Sequence, residues 1–285
     1  MIVVDNASTD GAADMAAAEF PQVVLLRNER NRGFASASNQ AAAQARGRYL
    51  FFLNNDTELP ENTVGDLVDF ADKNPEAGLI GPCLRGSDGR VQVSCRPKPS
   101  VATLLHRTCL LRWTGLLRRS YRRYRRECLR PAGETRQVET LMGAAMLLPR
   151  EVFTACGGWD EDYTFGGEDF DLSTRIGRRW EVIYHPAVHI THHGRAATRA
   201  NVGYSAPNVA IGFARFLRKS GGSPGALLLY KTLVSLDAPV QLALKAGQYA
   251  YRCLQGKQRK AEKSRQRVKE TWYFLTRGLR EFWRV

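Results

Sequence analysis

Tyr49-Leu50-Phe51-Phe52-Leu53-Asn54-Asn55-Asp56-Thr57 is an apolar run that stops abruptly at a polar turn. A run this short, rich in aromatic and aliphatic residues, reads as a strand buried on both faces, as in a parallel α/β sheet. The pattern occurs twice more upstream. Ile2-Val3-Val4 gives way to Asp5-Asn6-Ala7-Ser8-Thr9-Asp10-Gly11 and an Ala-rich helix to about Phe20. Val23-Val24-Leu25-Leu26 precedes Asn31-Arg32-Gly33-Phe34 and a second helix from Ala35 to about Arg46. Strand, polar loop and helix in succession predict an α/β fold with a mostly parallel, Rossmann-like sheet and helices on both faces. Ligands of such sheets gather at the carboxyl ends of the strands. Asp5 and Asp56 both stand there.

Downstream, Pro60 to Asn74 reads as a helix, Gly78 to Pro82 as a strand, and Arg85 to Pro99 as a hairpin or an excursion from the sheet. Composition then shifts. Between Val101 and Arg130 lie Arg107, Arg112, Arg118, Arg119, Arg122, Arg123, Arg125, Arg126 and Arg130 against one acid, Glu127, with Leu, Trp and Tyr interleaved. Three readings stand for this stretch: a helix lying on an anionic membrane surface, a nucleic-acid patch, or a solvated basic face. The formal net charge of +14 over 285 residues favours anionic partners of some kind. No zinc spacing, helix-turn-helix pattern or aromatic sheet motif accompanies it, so no specific nucleic-acid partner is expected. The six cysteines show no CxxC spacing and read as free thiols of a reducing cytosol. From Asn208 onward the chain reads as a basic helical extension. Its most apolar part, Ala226 to Tyr251, is interrupted by Lys231, Asp237, Pro239 and Lys245, which argues for a soluble or peripheral protein.

Gly157 to Arg175, GGWDEDYTFGGEDFDLSTR, concentrates Asp160, Glu161, Asp162, Glu168, Asp169 and Asp171 in an otherwise basic chain. Helical periodicity begins after Gly167, which puts Glu168 and Asp169 at a helix N-terminus. There the macrodipole favours ionised carboxylates, as a general base requires. An acidic cap on a glycine-rich loop has the same composition. Trp180 to Tyr184 is a further strand, followed by His185-Pro186 and the cluster His189, His192 and His193.

Four pieces in this order, VVDNASTDG, NRGFASASN, FLNNDTEL and GGWDEDYTFGGEDFDLSTR with a downstream HHG, resemble the family 2 glycosyltransferases, inverting enzymes of the GT-A fold. The likeness is nearest to bacterial rhamnosyltransferase-like members that build surface polysaccharides, and it spans about two thirds of the chain, Met1 to Arg199. The resemblance implies a nucleotide-sugar donor (dTDP-, UDP- or GDP-linked), a glycan or lipid-linked acceptor, and a divalent cation, Mn²⁺ or Mg²⁺. It assigns Asp169 as the catalytic base with Glu168 beside it. Asp5, Asn6, Asn31, Gly33, Asn39, Asn55 and Asp56 fall on donor-binding positions, and Trp159, Asp160 and Glu161 on acceptor-binding ones. Asn54-Asn55-Asp56 stands where the family has Asp-x-Asp, so Asp56 is left as the principal carboxylate ligand. The family's histidine ligand maps to His192, with His193 as the alternative. Without the resemblance, these residues are also ordinary caps, turn formers and surface histidines.

The resemblance further implies a domain over residues 1–205, with 101–130 as a basic insertion, and a helical extension over 206–285. With the basic segments, which would hold the chain where such acceptors are displayed, it leads to the expectation of a cytoplasmic protein, peripheral on the inner face of the membrane. The family also has a strand and helix ahead of the VVDN strand, whereas Ile2 here follows Met1 directly. An N-terminally truncated form or a misplaced start is therefore expected. The second reading is an inactive remnant or a binding module.

Overall fold

The computed structural model describes residues 1–128, 133–194 and 202–285; Arg130 and Arg199 lie outside the described residues. The chain forms two compact units, residues 1–96 with 131–194, and residues 97–130 with 195–285. The basic stretch therefore groups with the C-terminal helices. The linear division expected near residue 205 gives way to this interleaved one.

In chain order the first unit begins with β1 (Ile2–Asp5), α1 (Ala12–Glu19), β2 (Val24–Arg27), α2 (Phe34–Gln44), β3 (Tyr49–Leu53), β4 (Thr57–Glu58), α3 (Thr63–Lys73), β5 (Ala77–Arg85) and β6 (Cys95–Arg96). The second unit then contributes α4 (Val101–Leu105), α5 (Cys109–Thr114) and α6 (Arg118–Cys128). The first unit resumes with β7 (Arg136–Gln137), β8 (Thr140–Leu141), β9 (Ala145–Pro149), α7 (Arg150–Ala155), α8 (Glu168–Ile176) and β10 (Glu181–His192).

The central sheet has the order β3-β9-β5-β10-β4, with β7 also on β10. Its strand directions correct the expectation of a mostly parallel sheet. β5 and β10 are parallel, but β9 runs antiparallel to both β3 and β5, and β4 and β7 run antiparallel to β10. β1 and β2 pair in parallel as a separate two-stranded sheet, with Ile2 opposite Val24 and Asp5 opposite Arg27. A strand covered on both faces reads as a continuous apolar run whichever way its neighbour points, so the sequence carried no signal of direction.

Helices do cover both faces. Leu50, Phe52, Leu79, Met146, Leu148, Val182 and Tyr184 face one way, packing with residues of α2, α7 and α8 such as Ala35, Phe153, Leu172 and Ile176. Their strand neighbours Tyr49, Phe51, Ile80, Leu147 and Ile183 face the other way, onto Leu67 and Ala71 of α3. This is the two-residue alternation of extended chain, here with apolar residues on both sides.

β10 is longer than the expected Trp180–Tyr184 strand. It continues through Pro186 to His192, and its pairing with β5 shifts register between His185 and His189. A bulge accommodates the proline, which has no N–H to give the ladder. The extension brings His192 opposite Thr57 of β4.

The second unit packs α4 to α6 with helices Val202–Lys219, Pro224–Leu254 and Gln258–Tyr273, a π-helical turn Phe274–Gly278, and Leu279–Arg284. Leu104, Leu105, Ile211, Leu217, Tyr230, Phe274 and Phe282 form its core. Pro224–Leu254 is one continuous helix, not interrupted at Pro239, and is long and apolar enough to cross a membrane by length and composition. Its charged residues have partners within the unit. Asp237 accepts the N–H groups of Cys109 and Leu110 at the start of α5, Lys231 donates to the Trp283 carbonyl, and Lys245 donates to Gln241 and Thr271. Cys83, Cys109, Cys156 and Cys253 carry free thiols.

Candidate active site

The polar turn after β3 is fixed at both ends. The N–H of Asn54 donates to the Ala144 carbonyl at 2.9 Å, which continues the β3–β9 ladder by one rung. The Thr57 hydroxyl closes the turn on the Asn54 carbonyl at 2.6 Å. Asn55 is exposed at its tip. Asp56 turns back toward β10, where its Oδ1 lies 3.3 Å from His192 Nε2, with the two side chains only 18% and 15% exposed. His193 goes elsewhere: its N–H donates to the Asp56 carbonyl at 2.9 Å, and its ring meets exposed Glu58 at 2.7 Å.

One strand away stands the carboxylate pair. Gly167, at φ 101°, caps α8 in a conformation that favours glycine, and α8 begins with Glu168 and Asp169 as expected. Gly143, just ahead of β9, is so close to Asp169 that a Cβ there would sit 3.5 Å from that of the aspartate. The polar turn and Asp169 are thus joined through consecutive residues, Asn54 to Ala144 and Gly143 to Asp169.

Burial pushes the Asp169 carboxyl above the ordinary range, while the Arg96 guanidinium and the N–H groups of Phe170 and Gly143 hold it down. The Phe170 N–H lies 2.9 Å from Asp169 Oδ1. Glu168 behaves differently. Burial, with the Asp169 charge adding to it, pushes its carboxyl up to about 8, and its Oε2 is shut off from solvent with no hydrogen-bond partner among the described residues. Burial acts against the helix N-terminus and raises both carboxyls. Two adjacent buried carboxyls oppose each other's ionisation, and the Arg96 guanidinium favours the charged form of Asp169.

Several expected contact residues also hold the framework. Trp159 is 2% exposed and packs edge-on against Phe34 and Phe52, which favours a core role over the acceptor contact that the resemblance implies. Asn39 grips the Trp159 backbone through both ends of its amide and also donates to Glu161. Asn6 donates to the Gly33 carbonyl and accepts from Asn28, which in turn exchanges hydrogen bonds with Gln40. Asn31 accepts the Gly33 N–H. Gly33 has φ 83°, and a Cβ there would meet the Thr164 carbonyl at 2.9 Å, so a side chain would force apart α2 and the acidic loop. Asp160 closes a turn by accepting the Asp162 N–H. Asp171 is paired with Arg175 one helical turn on. Asp5 accepts the Ser8 N–H at 3.2 Å, in the separate β1–β2 layer. Asn28, Gln40, Gln92 and Arg96 lie in none of the sequence motifs.

The donor set suits a small hard cation. On such an ion two neighbouring ligands at about 2.1 Å are about 3 Å apart, close to the Asp56–His192 spacing. Imidazole beside carboxylate admits Mn²⁺ as well as Mg²⁺. Among the described residues no group of three or more His, Cys, Asp and Glu side chains gathers for a metal, so phosphate oxygens and water would have to supply the other ligands.

A central α/β sheet, an Asn-x-Asp turn at a strand end, and a buried aspartate at the start of a helix beside it define a GT-A glycosyltransferase. The fold is shared with the crystal structure of GalNAc-T7 with UDP, GalNAc and Mn²⁺, at a TM-score of 0.53 and 17% identity, over 76% of this chain and 41% of that one. Residues 1–131 match glycosyl transferase family 2. The sequence is 32% identical over 216 residues to the N-acetylglucosaminyl-diphospho-decaprenol L-rhamnosyltransferase of Mycobacterium tuberculosis, covering 70% of this chain and 67% of that protein. It is 28% identical over 186 residues to the O-antigen biosynthesis protein RfbC of Myxococcus xanthus, covering 64% of this chain and 14% of that protein. The chain belongs to glycosyl transferase family 2 and is a glycosyltransferase of the rhamnosyltransferase-like group.

Proposed function

We propose that the protein transfers a sugar, with rhamnose the first to test, from a nucleoside-diphosphate donor to a glycan or lipid-linked acceptor in cell-surface polysaccharide synthesis, with inversion. The observation that carries this is the link from the Asn54–Asp56 turn through Ala144 and Gly143 to Asp169. It puts the Asn54–Asp56 turn near a buried aspartate whose pKa is raised, which supports the reading of a diphosphate-binding turn beside a base. Asp169 takes the proton of the acceptor hydroxyl as that oxygen bonds to the anomeric carbon. The bond from that carbon to the phosphate oxygen breaks, and the nucleoside diphosphate leaves with the bonding pair. A base is most effective when its pKa lies near the working pH, and burial moves Asp169 in that direction. Glu168, whose carboxyl is raised by burial, is assigned as a hydrogen-bonding neighbour of the acceptor. Asp56 and His192 would hold Mn²⁺ or Mg²⁺, which offsets the charge growing on the diphosphate. Asp5 and Asn55 are assigned to the nucleotide, and Glu161 and Asp160 to the acceptor side.

The test is release of nucleoside diphosphate from a panel of dTDP-, UDP- and GDP-sugars, with Mn²⁺ or Mg²⁺ and a diphospholipid-linked saccharide acceptor. Turnover that Asp169→Asn abolishes is the expected result. Wild-type turnover retained by Asp169→Asn would overturn the assignment. Donor binding without transfer to any acceptor would favour a binding module.

The second unit supports a site on the inner membrane face. Leu110, Trp113 and Leu116 are exposed just ahead of the arginine-rich α6, and Leu228, Leu229 and Leu236 are exposed on the Pro224–Leu254 helix. Apolar side chains next to arginines suit an anionic lipid surface. Sedimentation with phosphatidylglycerol vesicles and not with phosphatidylcholine vesicles is expected. Equal recovery with both lipids would reject the electrostatic part, and no recovery with either would reject the surface.

A further inference from the structure

Gln92 belongs to none of the motifs that identify the family, yet it makes two hydrogen bonds to a single residue. Its Nε2 donates to the His192 carbonyl at 2.8 Å, and its Oε1 faces the Nδ1 of the same histidine at 2.9 Å. The chemistry of these atoms fixes the amide orientation and the proton on Nδ1. A backbone carbonyl only accepts, so the amide NH₂ of Gln92 must point at it. The amide oxygen then faces Nδ1, and that nitrogen must carry the hydrogen. In the neutral ring Nε2 is left with a bare lone pair. That lone pair faces Asp56 Oδ1, another acceptor, at 3.3 Å. Two acceptors facing each other at this spacing are an arrangement that a shared cation satisfies.

We infer that Gln92 is the positioning residue of the cation site: it holds His192 in the Nδ1–H tautomer and aims Nε2 at the space shared with Asp56. This rests on the reading of Asp56 and His192 as cation ligands. The local fold keeps Gln92 in place. The Gln92 N–H donates to the Leu84 carbonyl at 2.8 Å, just past a turn in which the Gly86 N–H donates to the Arg90 carbonyl. A Cβ at Gly86 would stand 3.2 Å from Gln92 Nε2, so glycine leaves room for the amide. Val91 bridges to Arg85 at the end of β5, and Arg85 pairs with Thr191 of β10. The segment after β5 is thereby folded back beside the end of β10. Partners of this kind, bonded to the far nitrogen of a ligating histidine, orient the ring and typically change metal affinity 10- to 100-fold.

Two measurements on the full chain test the inference. Long-range ¹H–¹⁵N correlation spectra of protein labelled at histidine, in mildly alkaline buffer, report the tautomer of His192, assigned by its loss in His192→Gln. Wild-type protein is expected to show Nδ1 protonated and Nε2 bare, without any metal. An Nε2–H ring would overturn the role of Gln92 whatever the metal does. Titration with Mn²⁺ alone, followed by the electron paramagnetic resonance of the free ion, is expected to show about 10- to 100-fold weaker binding in Gln92→Leu. Unchanged affinity would overturn the inference. Absence of Mn²⁺ binding to wild type, alongside an Nδ1–H ring, would instead remove the cation reading beneath it. If Gln92→Leu does not fold, the wild-type tautomer decides alone.

Discussion

The amide of Asn39 closes a two-hydrogen-bond ring on the backbone of Trp159, donating to its carbonyl at 2.8 Å and accepting its N–H at 2.9 Å. A side chain on α2 thus stands in for a strand neighbour at the entrance to the acidic loop. Asn39→Ala leaves two backbone groups without partners, at about 1–3 kcal/mol each where water cannot reach. Loss of about 2–4 kcal/mol in urea unfolding is expected, together with loss of transfer, because the loop leads to α8. Asn39→Asp keeps the acceptor and loses the donor, so it should fall between wild type and alanine. Equal stability of all three proteins would show that the ring adds nothing.

Asp169 carries the second prediction. Asp169→Asn keeps shape and removes the base, and the loss of turnover should reach about 10²- to 10⁴-fold with donor affinity nearly unchanged. Arg96 faces the same carboxylate and lowers its pKa. Arg96→Leu therefore raises that pKa further and depopulates the ionised base on the acid side. The acid limb of the rate–pH profile should move to higher pH. A limb that stays in place would mean that Arg96 does not act on Asp169.

Glu168 gives a prediction about stability. Its folded pKa of about 8 lies above the ordinary 4.5. Between these values the folded chain keeps a proton that the unfolded chain has lost, so stability falls as pH rises through the window. Below it both states are protonated and the effect vanishes. Glu168→Gln holds a neutral side chain at every pH. Its melting temperature should gain on wild type from pH 5 to pH 9, read by thermal denaturation in matched buffers. A constant difference would show that Glu168 has no raised pKa.

The sequence shows the architecture through runs such as Tyr49–Leu53, but not the direction of its strands. Leu147 and Leu148 look the same whether β9 runs with or against β3. The carboxylates at α8 are legible because glycine, acid and helical periodicity are local signals. Trp159 is not: an aromatic beside acids fits a sugar platform as well as a core, and only Phe34 and Phe52 around it decide. Gln92 and Arg96 escape for another reason. Their roles depend on contacts with His192 and Asp169, far along the chain, and single polar residues leave no periodic trace.

The adjacent histidines supply the sharpest separation of roles. In an extended strand successive side chains point to opposite faces, and β10 ends at His192, so one histidine can turn inward while the next turns out. His192 meets Asp56 under cover, and His193 meets exposed Glu58. His192→Ala removes one of the two protein ligands assigned to the cation and should weaken Mn²⁺ binding and lower turnover at limiting metal. His193→Ala loses a surface pair worth about 0–1 kcal/mol and should leave both nearly as in wild type. Isothermal titration with Mn²⁺, with and without the nucleoside diphosphate, distinguishes them. The reverse ranking would place the ligand at His193 and would require the end of β10 to be turned by one residue, away from its pairing of His192 with Thr57.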